Sequence, residues 1–257
     1  MDPRSLALDG LLLPAVAALV TSLVLGGDPR GVGGPRRVGA WLAAAAVAGW
    51  MLWSPPATLT GSGPRVAADW LWFATPVLAV AAGVAGRVPE ASRLLGRALF
   101  ATGFAWLAYR APRTHTWSAA QTAVVVAGGG VAAAALWTAA RRGLDGARAP
   151  AALTALAAWS GGASVALTAT GSLSYGMRLA PLSTTLAVLA GLSWVGRGER
   201  AAGAVAGLAA PLTLGMLALA VVFSATPPWL AGLLALAPLL ARALPRGAGT
   251  AGPRAVP

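Results

Sequence analysis

A chain of 257 residues that is 57% hydrophobic and 10% charged falls well short of the roughly 25% charged residues typical of soluble domains, and this places it in the membrane class. Its net charge of +12 comes from 19 Arg scattered in ones, twos and threes between apolar runs, which leaves no continuous basic face and excludes nucleic acid as a partner. With no Cys and a single His, His115, the chain has no disulfide framework, no thiol chemistry and no multi-histidine metal cage, so neither metal nor cofactor is expected.

A membrane-crossing helix needs about 20 mostly apolar residues. Nine such segments are predicted, at 7–25, 38–53, 70–86, 94–109, 118–140, 151–171, 179–195, 202–223 and 229–244. The expected fold is an all-α polytopic helix bundle forming one domain over residues 1–244. A flexible Pro/Gly-rich cytoplasmic tail follows at 245–257.

The first segment has the look of a signal peptide, with one Arg and an apolar run. No A-x-A-like cleavage site follows and Asp9 interrupts its start, so the helix is expected to be retained. The second and third segments flank TLTGS (Thr58–Ser62), Arg65 and Asp69. The fourth carries Arg97 near one end, where a long side chain can reach the surface.

The fifth segment holds Gln121 about one turn from its start. Near its centre it is interrupted by Gly128, Gly129 and Gly130. Unwound backbone at that depth persists only where protein or a cavity covers it, and broken helices are a common way to build transport sites. Tight packing in an Ala/Gly-rich bundle explains the same glycines. The sixth segment places hydroxyls at every fourth residue, Ser160, Ser164, Thr168 and Ser172, with Trp159, Gly161 and Gly162 beside them. Such a row makes a slanting stripe along a helix. It serves either close helix packing with hydrogen bonds across the contact or a polar path. Gly203 and Gly207 at the start of the eighth segment form a generic packing motif.

The loops after the odd-numbered segments, together with the tail, hold 14 of the Arg residues, and the other side holds 5: Arg4, Arg65, Arg110, Arg113 and Arg178. The positive-inside rule then sets the N-terminus outside and the C-terminus in the cytoplasm. The Arg-rich side should attract anionic lipid head groups. Most Trp residues fall near segment ends, as interfacial anchors do; Trp159 is the exception. TATGS (Thr168–Ser172) repeats TLTGS 110 positions later, which fits a parallel duplication or coincidence.

No ionisable side chain lies near a segment centre, which argues against a proton-coupled pump. At the outer face Asp69, Arg110, Arg113, His115 and Arg178 form a polar cluster that could meet a lipid phosphate or serve as a solvated loop. No H-E-x-x-H, P-loop or acidic metal motif is present. The leading expectation is a transporter or permease-like protein of a bacterial-type cytoplasmic membrane, with a polar path beside the fifth and sixth segments. The second is a structural or assembly subunit with a membrane-protein partner. A membrane enzyme acting on a lipid-linked substrate comes last.

Overall fold

A computed structural model describes residues 71, 78, 89–144, 149–195 and 199–239, with the side chains of 143, 144, 149 and 199–206 excepted. The first three predicted segments (apart from Leu71 and Leu78), Asp69, the TLTGS copy and the 245–257 tail lie outside these residues. Among the described residues the chain is all-helical with no strand, so the α class holds.

The elements are α1 (Glu90–Ala108), α2 (Arg110–His115), α3 (Ala119–Ala123), a π-helical turn (Val124–Gly128), α4 (Gly129–Leu144), α5 (Ala149–Ala169), α6 (Leu173–Trp194), α7 (Glu199–Phe223) and α8 (Pro228–Leu236). Helix α3, the π turn and α4 run on as one rod. Two helices are long and apolar enough to cross a membrane, Ala119–Arg142 (24 residues) and Pro150–Ala169 (20 residues). At 1.5 Å per residue they span about 36 and 30 Å, against about 30 Å of hydrocarbon. Their outward sides carry large apolar residues such as Val124, Val131 and Val165, which are mostly exposed.

Local sequence sets the helix ends. Glu90 opens α1, where a carboxylate faces the positive end of the helix dipole. Ser118 and Gln121 form a reciprocal capping box at the start of α3. Helix α5 stops in a Schellman turn. Ser172 N–H donates to the Leu167 carbonyl at 2.8 Å, Gly171 N–H donates to Thr168 at 3.2 Å, and Gly171 takes φ 82°, which a side chain would resist. Pro228 at the first position of α8 gives up an N–H that would have no partner there anyway.

The core lies where α5, α6 and α7 meet, around Leu167, Leu182, Leu186, Leu208 and Met216. Trp159 explains its mid-helix position here: it is buried, and its Nε1–H donates to the Leu234 carbonyl of α8 at 2.7 Å. Helices α1 and α4 pair beside this core. At one end Arg97 donates to Thr138 at 2.7 Å and stacks over Trp137, and Arg142 pairs with Glu90 at 2.5 Å. At the other end Tyr109 meets Trp117 and Phe223 ring to edge or tilted, with centroids at 5.7 and 6.1 Å.

The Arg142 guanidinium bonded to the Glu90 carboxylate holds that carboxyl below its ordinary value of 4.5. A depressed acid contributes stability above its unfolded-state pKa and loses it as pH falls through the folded one. Glu90→Gln is therefore expected to lower thermal stability slightly at neutral pH. That difference from wild type should shrink as pH falls below 4.5 and vanish only below the depressed folded-state pKa. A difference that stays constant across the acid range would show that the pair contributes nothing through ionisation.

Candidate functional site

The hydroxyl row of α5 is an interhelical seam. Ser160 is fully buried and donates to its own helix at Leu156 O, 2.9 Å. Ser164 is buried and donates across the contact to Gly176 O of α6 at 2.6 Å. Thr168 donates back to Ser164 O at 2.9 Å. From the other side Ser183 donates to Ala157 O at 2.9 Å. Glycines set the spacing of this seam. A Cβ on Gly161 would stand 2.7 Å from Ser183 Oγ, and one on Gly176 would stand 2.6 Å from Ser164 O. Each hydroxyl of the row is thus spent on a protein oxygen, which is how small polar residues hold membrane helices together.

Ser172 ends the row in a hydroxyl cluster. Its Oγ makes a short hydrogen bond with Ser224 Oγ and another, of 2.6 Å, with Thr226 Oγ1; Thr170 Oγ1 lies 3.3 Å from Thr226 Oγ1. Ser224 also donates to Ala220 O at 2.5 Å. The cluster ties the α5–α6 turn to the α7–α8 turn. Ser183, Ser224 and Thr226 do not stand out in the sequence, because each is an isolated hydroxyl there. A weak signal did exist: the S-x-T-P-P stretch reads as a turn.

Gln121 serves the helix start. Its side-chain oxygen accepts from Ser118 N–H at 2.9 Å on an exposed first turn, while Ser118 Oγ accepts from Gln121 N–H at 3.2 Å. The glycine triplet divides by role. Gly128 and Gly129 have open space where a Cβ would go. Gly130 is buried against Thr102, whose side-chain Oγ1 crowds that position and whose Cα and N both lie 2.9 Å from it. The Val124–Gly128 π turn immediately precedes the contact, where three β-branched residues and a glycine make the poorest helix formers of the rod. Single π turns of this kind mark functional sites often.

Beside the π turn a cleft of about 260 Å³ opens between α1, the α3–α4 rod and α7. Phe100, Phe104, Val125, Gly129, Ala133, Trp137, Pro211, Leu214, Gly215 and Val222 line it, with Leu71 covering Gly215 and Tyr109 at one end. An apolar cavity of about 150 Å³ already binds a benzene-sized molecule. The cleft is therefore large enough for an apolar ligand and has almost nothing polar to offer a hydrophilic one.

The predicted outer-face cluster is divided. Arg110 and His115 are exposed on α2. Arg113 lays its guanidinium over the Trp106 ring at 3.5 Å, and its Nε is buried with no hydrogen-bond partner. Arg178 sits on the first turns of α6 near Tyr175. These residues share the Tyr109 end of the bundle without converging on one point. His115 stands on exposed α2, and Ser160 and Ser164 are bonded within the α5–α6 seam, so no nucleophile–base pair forms. Among the described residues no group of His, Cys, Asp or Glu could hold a metal ion. No protein family, curated protein or solved structure matches this chain.

Proposed function

We propose that this chain is a multi-pass permease-like protein of a bacterial-type cytoplasmic membrane, which passes an apolar or lipid-like solute along the cleft beside the glycine-interrupted fifth segment. In this reading nine helices cross the bilayer, the N-terminus is outside and the C-terminus is cytoplasmic. The Arg-rich side meets anionic lipid on the cytoplasmic leaflet. The observation that carries the reading is the coincidence of an apolar cleft, a π turn and a close glycine contact on one helix. The path shifts from the hydroxyl row, whose oxygens are engaged in packing, to the opposite side of the bundle. That same engagement favours the second reading, an assembly subunit whose hydroxyls do nothing but hold helices together.

The chain has no cysteine, so single-cysteine variants test the choice directly. Cysteine at Ala133 and Ala218 (cleft), Ser160 and Ser164 (seam) and Val165 (outward) would be exposed to a membrane-impermeant maleimide in intact cells and in inverted vesicles. A permease opens to each side in turn, so the cleft positions are expected to react in both preparations while the seam stays silent. Cleft positions that react in neither preparation leave the cleft as static packing and favour the assembly subunit.

A further inference from the structure

The start of the α3–α4 rod is held differently from the rest of it. Among residues 118–129 only Val126 is buried. Gly130, Ala134 and Thr138 continue from it at four-residue spacing and are buried too, so α4 is fixed along its length and the preceding arm at a single point. The π turn touches α1, whereas α3 touches the π turn that follows it and has no comparable contact with any other described helix. The side-chain bonds that join α1 to α4, at Thr138 and Arg142, lie beyond Gly130.

The junction between arm and α4 can bend. A Cβ on Gly128 or Gly129 would meet nothing within 4 Å, so packing gives no reason for a glycine at either position. Glycine supplies backbone freedom there, next to a π turn that is itself a departure from α winding. A hinge needs only a few such residues at the end of an element. Gly130 then ends the free stretch by its contact with Thr102.

Both ends of the arm reach the Tyr109 end of the cleft. Val125 is the first residue of the rod to line it. Trp117, immediately before the arm, sets its ring edge-on to Tyr109, and Tyr109 meets Phe223 of α7 in turn. Because Tyr109 lines the cleft, these three rings close its end from α1 across to α7.

We propose that residues 118–127 are a gate at the Tyr109 end of the cleft, hinged at Gly128–Gly129 and latched by Val126. When it is shut, Val125 stands in the cleft wall and Trp117 rests on Tyr109. When it opens, the arm swings about the glycines, lifts Val126 from its buried place and draws Trp117 off Tyr109. The motion requires no widening of the cleft along its length and leaves the α1–α4 contacts at Gly130, Thr138 and Arg142 intact. The inference rests on the permease-like reading and supplies the entrance at one end.

The test follows the rate at which a membrane-impermeant maleimide labels Ala133→Cys of the full chain, in intact cells and in inverted vesicles. Gly128 does not border the cleft, so Gly128→Ala stiffens the hinge without filling the space. It is expected to slow labelling about fivefold in the one preparation where the Tyr109 end meets the reagent, and to leave the other unchanged. Val126→Ala weakens the latch and is expected to speed labelling about tenfold in that same preparation. Adding Gly128→Ala to it should reverse part of the gain, which a merely unfolded variant would not show. Spin labels at Ala120→Cys and Leu107→Cys read the arm directly, as a distance distribution that narrows with Gly128→Ala and broadens with Val126→Ala. If Ala133→Cys reacts in both preparations at rates that neither substitution changes, the gate falls and the permease reading stands. If it reacts in neither preparation in any variant, both fall. Rate changes of equal size in the two preparations, or one distance distribution common to all variants, would also overturn the gate.

Discussion

Gly176→Ala is expected to destabilise the bundle more than any other single methyl addition in α6. The new Cβ would stand 2.6 Å from Ser164 O and 2.9 Å from Thr168 N, and both are backbone atoms that cannot rotate away. Helices α5 and α6 would have to separate. Separation also lengthens the 2.6 Å bond from Ser164 Oγ to Gly176 O. Overpacking costs about 1–3 kcal/mol and an interhelical hydrogen bond about 1 kcal/mol, so a loss of about 2–4 kcal/mol is expected. Equilibrium unfolding in mixed micelles with increasing dodecyl sulfate reads it as a lower midpoint. Gly162→Ala is the matched control: nothing lies within 4 Å of its Cβ position, and the exchange improves helix propensity by up to about 1 kcal/mol. If the two variants unfold at the same midpoint, the close α5–α6 approach described above is wrong.

Gly130→Ala is expected to do the same to the other half of the protein, with an added functional consequence. Its Cβ would meet Thr102 Cα and N at 2.9 Å, so α1 must move off α4. These two helices are walls of the cleft. A cost of about 1–3 kcal/mol should therefore be accompanied by altered maleimide reactivity at Ala133→Cys and Ala218→Cys. Trimming the neighbour removes the Thr102 Oγ1 contact but leaves the backbone atoms in place: Gly130→Ala with Thr102→Ala should recover only part of the stability that Gly130→Ala loses. Full rescue by Thr102→Ala would place the whole obstacle in the side chain and contradict the backbone contact. Gly128→Ala and Gly129→Ala meet nothing within 4 Å and are expected to be neutral or mildly stabilising.

These variants indicate how far the sequence can be read. Helix existence was legible because apolar runs between Arg-bearing loops dominate it, and α1, α4, α5, α6, α7 and α8 fall on the fourth to ninth predicted segments. Boundaries were less so. Helix α6 begins at Leu173, six residues before the predicted 179, because Ser174, Tyr175 and Arg178 read as loop but are tolerated on its partly exposed first turns. The hydroxyl row was visible as a pattern, yet its spacing fits packing and path equally. Only the partner atoms, Gly176 O and Leu156 O, show where the hydroxyls are spent. Three adjacent glycines look alike in a sequence, and only Gly130 faces another backbone. The cleft was not legible at all. It is lined by residues from three helices whose mutual placement no single segment encodes, and Tyr109, which closes one end, reads as an ordinary interfacial anchor.

The hydroxyl cluster at Thr170, Ser172, Ser224 and Thr226 has a mechanical consequence. It bolts two connecting turns together at one end, while Trp159 pins α8 to α5 further down. Helices α5 to α8 are thereby cross-braced at two heights. The α1–α4 pair is braced separately, through Arg97 to Thr138 and Arg142 to Glu90. The cleft follows the boundary between the two braced blocks, where α7 faces α1 and α4 across mostly slippery apolar surface. Widening it requires one stiff block to slide or rock against the other, with no bending inside either. A cross-link across that boundary, from α1 to α7, would therefore freeze the cleft, whereas one from α5 to α6 would leave its movement untouched.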